Sequence, residues 1–367
     1  MKKLLLVFCS LALIAGCTKN GAEDKTPSGG DENTPSSYDV ATPSFAKGAD
    51  VSWLSEMEKD GKTFQKKDGT KADCFDVLKD CGVNSIRLRV WVNPTGGWSG
   101  KDDMIGLAER AAKAGMAVMV DFHYSDFFCD PSRQTVPKAW EADKSDVNKM
   151  AVHVREHTTE VLQALKDKGV TPAWIQIGNE TRNGMLWPIG QLWGDGAGGK
   201  EKFADLYKSG YNAAKAVFPS ALVGPHVNNA YDDNDWWFKD RKASGCKFDM
   251  ICLSHYPQEQ NKMTAQECNT AAVGRIKSLI GTYNVPVIIS EVGVKTPEGE
   301  AAAASVLKEF MAAVKQIPSC KGVFYWEPEV YDWWKPSVYA SLGWNSYNMG
   351  AFLSGGKPSS VIDALCN

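Results

Sequence analysis

The chain has 367 residues, with 41 Lys and Arg against 44 Asp and Glu, a net charge of −3 and five His. That balance argues against a general polyanion binder, which needs a basic excess or stripe to neutralise phosphates. Hydrophobic residues at 43% and charged residues at 23% describe a globular protein with little room for extensive disorder.

The first segment reads as an address. Lys2 and Lys3 precede an apolar run from Leu4 to Ala15, whose 12 residues fall short of the about 20 that a membrane-spanning helix needs. The run fits the apolar part of a secretory signal. The small residues Ala15-Gly16 before Cys17 resemble a bacterial lipobox, in which the cysteine becomes the lipidated first residue of the mature protein; an ordinary signal peptide is the alternative. Two or more acyl chains on one residue anchor a protein stably. Thr18, not Asp, follows the cysteine, which points to the outer membrane. From Thr18 to Pro43 the chain is Thr, Lys, Asn, Gly, Glu, Asp, Pro and Ser with almost nothing to bury, a solvated tether. The reading is a signal peptide over 1–16, a lipidated tether over 17–43 and one folded domain over 44–367.

Within that domain strand and helix alternate. Phe45–Trp53 reads as a strand, Ala72–Cys81 as a helix closed by Gly82, and Ser85–Val92 as an apolar strand. A helix over Asp103–Ala114 ends at Gly115 and leads to a strand, Met116–His123. A long helix, Val147–Lys168, runs through Gly169 to a strand at Ala173–Ile177. Further strands are expected at Ala221–Val227, Phe248–Ser254, Pro286–Glu291 and Gly322–Trp326, with helices at Glu201–Val217 and Glu298–Gln316 among those between them. Eight short apolar strands without strict alternation suit a parallel sheet covered by helices, and the class is α/β, a single (β/α)8 barrel. An open doubly wound sheet is the alternative, but no G-x-G-x-x-G loop follows an early strand. The eight cysteines beyond Cys17 are scattered without metal-site spacing and read mostly as buried thiols.

In such a barrel the chemistry sits at the C-terminal ends of the strands. Those ends carry Asp50 and Ser52, Arg87 and Arg89, Asp121 and His123, Asn179 and Glu180, His226, His255 and Tyr256, Glu291, and Trp326 and Glu327. Glu180 ends the fourth strand and Glu291 the seventh, so the two carboxylates can face each other across the mouth. Glycoside hydrolysis needs that pair, one carboxylic acid to protonate the leaving oxygen and one carboxylate beside the anomeric carbon.

The motifs then point to a family. Lys47-Gly48-Ala49-Asp50-Val51-Ser52, Arg87-Leu88-Arg89-Val90-Trp91-Val92-Asn93-Pro94 and Asp121-Phe122-His123-Tyr124-Ser125-Asp126 come first. Gln176-Ile177-Gly178-Asn179-Glu180, Asn183-Gly184-Met185-Leu186-Trp187-Pro188 and Phe324-Tyr325-Trp326-Glu327-Pro328 follow. Together they resemble glycoside hydrolase family 53, the endo-β-1,4-galactanases of clan A. The chain departs from that pattern at Phe127-Phe128-Cys129, at Thr181-Arg182 after the catalytic Glu, at His255, and in a short loop after Glu291.

The resemblance implies an enzyme that cleaves internal β-1,4 bonds of galactan or arabinogalactan with retention. Glu180 would be the acid/base and Glu291 the nucleophile, with carboxyl groups about 5 Å apart. It implies substrate contacts from Arg87, Arg89, Trp91, His123, Asn179, Trp187, His226, Tyr256 and Trp326. Either Arg87 or Arg89 would hold the nucleophile ionised, the clan pattern favouring Arg87, and Trp326 would lie under the sugar that is cleaved. No cofactor and no metal are expected, because two carboxylates suffice and the segment after Glu291 has only Glu298 and Glu300 to offer. A monomer is expected, held to the membrane by its lipid alone, and a polymeric substrate argues for the cell surface. Two alternatives stand beside this reading. One is another clan A endo-glycanase acting on mannan or cellulose; the other is a glycan-binding lipoprotein without turnover.

Overall fold

The computed structural model describes residues 37–257, 263–295 and 298–367. The signal segment, Cys17 and the tether up to residue 36 lie outside the described residues.

Eight parallel strands form the core: β1 (Ala46–Asp50), β2 (Ser85–Val90), β3 (Ala117–Phe122), β4 (Trp174–Ile177), β5 (Leu222–Gly224), β6 (Ile251–His255), β7 (Val287–Val292) and β8 (Cys320–Trp326). They pair in chain order, and β8 pairs β1. The expected strand Ala221–Val227 is broken at Pro225, which has no N–H to donate. Its first piece, β5, pairs β4, and its second, His226–Val227, pairs β6. The ring therefore closes across one proline.

Helices cover the outside. Between β2 and β4 lie α1 (Lys101–Lys113) and α2 (Val147–Asp167), then α3 (Gly199–Val217) and α4 (Asp235–Ala243). Next come α5 (Ala265–Tyr283) and α6 (Glu300–Lys315). Local chemistry sets their starts. Asp146 accepts hydrogen bonds from the backbone N–H groups of Asn148 and Lys149 at the head of α2, and Thr264 forms a capping box with Glu267 at the head of α5.

Strand alternation divides the interior into two storeys. The lower one is apolar, with Ala46, Ala117, Met119, Trp174, Cys252, Ile288 and Phe324 in contact. Gly48 belongs to it for a steric reason: a Cβ there would sit 2.1 Å from Phe324 Cδ1. The upper storey is charged, with Asp50, Arg87, Asp121, Gln176 and Ser290 all buried. This explains why the strands turn polar at their last residues.

Residues 37–43, expected as tether, already touch the barrel. The Tyr38 N–H donates to Gly169 O at 3.0 Å, and Tyr38 and Val40 pack against the core. All eight described cysteines are unpaired and seven are buried, Cys81 being half-buried.

Candidate active site

At the C-terminal mouth of the barrel a cavity of about 300 Å³ brings Glu180 and Glu291 together with His123, Asn179, Tyr256 and Trp326. Each carboxylate is aimed by a local irregularity. In β7, Leu253 of β6 pairs Ile289 while Ser254 pairs Glu291, so Ser290 is an extra residue in the ladder. Such a bulge re-aims the side chains that follow it. Ser290 points to the interior, where Gln176 Nε2 donates to its Oγ at 3.2 Å, and Glu291 faces the interior as well. Glu180 follows Gly178 at φ +84° and has φ +48° itself, a conformation an L-residue adopts at some cost.

Glu291 is held on both sides. Arg87 Nη2 lies 3.0 Å from Oε1, and the Tyr256 hydroxyl donates to Oε2 at 2.9 Å. Arg87 is itself fixed by Asp50 at 2.6 Å, Asp121 at 2.8 Å, Gln176 at 2.6 Å and Asn179 at 2.8 Å. Burial pushes the Glu291 carboxyl up to about 7, against the pull of Arg87 and the Tyr256 hydrogen bond and with the help of nearby Asp121 and Asp50. Asp121 is equally buried, but Arg87 and His123 outweigh that burial and hold it down at about 2.

Glu180 sits at the end of a relay. Ser254 Oγ is 2.6 Å from Glu180 Oε1, His226 Nε2 is 2.8 Å from Ser254 Oγ, and His226 Nδ1 is 2.8 Å from Asn179 Oδ1. Burial, and then Arg87, keep His226 well below the usual histidine range, so the ring is neutral with one N–H. With that proton on Nδ1 the ring donates to Asn179, Ser254 donates to Nε2, and Ser254 Oγ is left to accept a proton from an acidic Glu180. With the proton on Nε2 instead, a bare Nδ1 would face Asn179 Oδ1, which already accepts from Arg87, acceptor against acceptor at 2.8 Å, so the geometry holds the Nδ1–H tautomer. The relay as built therefore suits a Glu180 carboxylic acid that donates to Ser254 Oγ.

Arg89 has a different partner from Arg87. It pairs Glu327, and its guanidinium lies over the rings of Trp53, Trp91 and Phe128 at 5.4, 5.0 and 4.7 Å. It is a pillar under the aromatic wall and does not touch Glu291. Glu327 sits beside the fully buried Glu329, whose carboxyl is pushed far up by burial and by Glu327. Trp91 lines a neighbouring hollow of about 500 Å³ instead of the cavity. Trp187 is half-buried with its indole N–H donating to Asn183 O at 2.8 Å, and His226 stands fully buried behind Glu180. His255 turns outward to Asn269 at 2.8 Å and against Phe310, and serves the packing of the helices.

Several cavity residues were not singled out from the sequence. Ser254, which touches Glu180 from behind the cavity wall, is an inward position of β6 two residues before Tyr256, and that spacing is a signal that could have found it. Asn228 and Asn229 follow the strand broken at Pro225. Tyr339 and Trp344 arrive from the long segment after β8 and carry no positional signal at all. Among the described residues no three His, Cys, Asp or Glu side chains converge as a metal site.

Over residues 46–363 the sequence matches the family model described as glycosyl hydrolase family 53. An arabinogalactan endo-beta-1,4-galactanase of Cellvibrio japonicus is 32% identical over 357 residues, covering 89% of this chain and 87% of that one. A probable arabinogalactan endo-beta-1,4-galactanase A of Neosartorya fischeri is 33% identical over 310 residues, covering 77% and 83%. In three dimensions the chain is similar to a structure from a study of two fungal beta-1,4-galactanases, with TM-score 0.75, 26% identity and coverage of 87% of this chain and 98% of that one.

Proposed function

The chain belongs to glycosyl hydrolase family 53, and from that premise we propose an endo-β-1,4-galactanase that works by retention, with Glu180 as acid/base and Glu291 as nucleophile. One observation carries the assignment of roles: the two carboxyls share a cavity but have opposite surroundings. Glu291 faces a guanidinium and a hydroxyl donor, which favour a carboxylate ready to attack. Glu180 faces the Ser254 hydroxyl, which gives its proton to His226 Nε2 and so accepts from a carboxylic acid. That suits the proton donor of the first step, and once the proton is gone the Ser254 hydroxyl can turn to donate to the carboxylate that acts as base in the second.

In this scheme Glu180 gives its proton to the glycosidic oxygen while Glu291 attacks the anomeric carbon and forms a glycosyl-enzyme. Water, deprotonated by Glu180, then releases the sugar and frees Glu291. Asn179, held by Arg87 and by the Cys129 carbonyl, presents its amide next to the nucleophile. Trp326, half-buried on the cavity wall and braced by Tyr347 at 4.7 Å between ring centres, is the platform for the apolar face of the pyranose.

Release of reducing ends from linear galactan is the direct test, with Glu180→Gln and Glu291→Gln as controls. Each variant is expected to lose several orders of magnitude in kcat and still bind galacto-oligosaccharide. A wild type that opens mannan or cellulose in preference to galactan would sink the substrate assignment. A variant that retains more than a few per cent of the rate would sink the role given to that residue. We further propose that Cys17 carries lipid and anchors the enzyme at the outer membrane, where a polymer can reach it; the apolar run before Cys17 supports this reading.

A further inference from the structure

We propose that Trp193 and Trp236 form a second sugar platform outside the cavity, which holds the leaving-group half of the galactan chain. The proposal rests on the galactanase reading. The two indoles remain 45% and 40% exposed while lying in tilted contact, 5.8 Å between ring centres. Single exposed apolar side chains are ordinary on a protein surface. Two rigid flat rings side by side, both still open to solvent, offer what the apolar face of a pyranose stacks on.

The platform is built onto the acid/base loop. Asn183, three residues after Glu180, accepts from the Trp193 N–H at 3.0 Å and donates its side-chain amide to Trp193 O at 3.2 Å. Trp236 is the second residue of α4, and its neighbour Trp237 is fully buried with its indole N–H donating to Arg182 O at 3.0 Å. A helix turns about 100° per residue, so anchoring Trp237 swings Trp236 to the open side. The polar edge of the cavity reaches the same place. Asn229, which lines the cavity, donates to Asp232 at 3.2 Å, and Asp232 pairs Arg182 at 2.6 Å. A continuous row, Asn229–Asp232–Arg182, thus leads from the cavity to the loop that carries the platform. The acid/base protonates the leaving oxygen, so a platform on its loop lies on the leaving-group side.

Both indoles lie outside the buried core, and Trp193 is tied in through its backbone, so Trp193→Ala, Trp236→Ala and the double variant are usable once their melting temperatures match the wild type. The readout is the ratio of kcat/KM on long galactan to kcat/KM on a two-sugar chromogenic galactoside too short to reach the platform. The double variant is expected to lower that ratio by about tenfold. Cleavage of a reducing-end-labelled galactohexaose should also move toward the labelled end. An unchanged ratio, or equal losses on both substrates, overturns the proposal. Should the wild type fail to cut galactan, the galactanase reading falls, and electrophoresis through a galactan-containing gel then decides the platform alone. Retardation of the wild type that the double variant loses sustains the platform, and no retardation of the wild type overturns it.

Discussion

A carboxylate that attacks must be ionised and one that protonates must not be, so the decisive property of each residue is the company it keeps. Burial has raised Glu291 to about 7, and the Tyr256 hydroxyl is among the groups that resist the rise. A hydrogen bond to an ionised group favours that form by roughly 1.5 kcal/mol or more, which is about one pKa unit. Tyr256→Phe removes a stabiliser of the carboxylate and raises the Glu291 pKa further. Because kcat/KM reports the free enzyme, its acid limb is expected to move to higher pH by about one unit. A pH profile that stays in place, or moves to lower pH, would refute the role of Tyr256. Ser254 makes a complementary case on the other carboxyl. Ser254→Ala breaks the link between His226 and Glu180, and kcat is expected to fall by about tenfold or more with KM little changed. A loss confined to KM would count against the relay.

At the scale of the element, both cavity carboxylates, Glu180 and Glu291, depend on departures from regular geometry. The bulge at Ser290 lets two successive residues of β7 serve the interior. A strand without it would alternate and turn Glu291 toward the helices. The turn at Gly178 does the same service for Asn179 and Glu180. Its φ is +84°, and a Cβ there would lie 2.4 Å from Thr181 Cγ2. Gly178→Ala is therefore expected to cost about 1–2 kcal/mol of stability. It should also lower kcat by at least an order of magnitude through displacement of Glu180. Chemical denaturation and kcat on galactan check the two parts, and an alanine variant with wild-type values for both would show that the turn is tolerant. The motif Gln176–Glu180 announced that this strand end mattered, but not that a left-handed turn aims it.

Across the whole molecule, the barrel is a rigid ring whose mouth carries the chemistry and whose lower storey only fills space. The described chain meets the ring from Tyr38 onward, and residues 18–37 separate it in sequence from Cys17. The cavity is lined by residues from His123 to Trp344, all distant from Cys17 in sequence. Cys17→Ala is expected to shift the enzyme from the membrane fraction to the soluble one with unchanged specific activity. Fractionation and assay check this, and a variant that stays in the membrane fraction would refute the lipid anchor.

The sequence by itself determined the alternation of strand and helix, the barrel class and the place of Glu180 and Glu291 at strand ends, because these are written in local hydrophobic runs and where those runs stop. It also placed the helix Val147–Asp167 to within a residue and the helices Lys101–Lys113, Gly199–Val217 and Glu300–Lys315 to within two. Parity puts Arg87 and Arg89 on one face and does not separate them, and only the resemblance to the clan favoured Arg87. Tertiary structure separated them: Arg87 faces Asp50, Asp121 and Glu291 across the ring, while Arg89, one step nearer the mouth, meets Glu327 and the aromatic wall. Trp91 and Trp187 sat in telling motifs, yet neither lines the cavity, and Tyr339 and Trp344 line it from a segment without a motif. A motif fixes where a residue stands along its own strand. Which side chains meet above the strands depends on how eight separate loops fold over one mouth, and no local pattern encodes that.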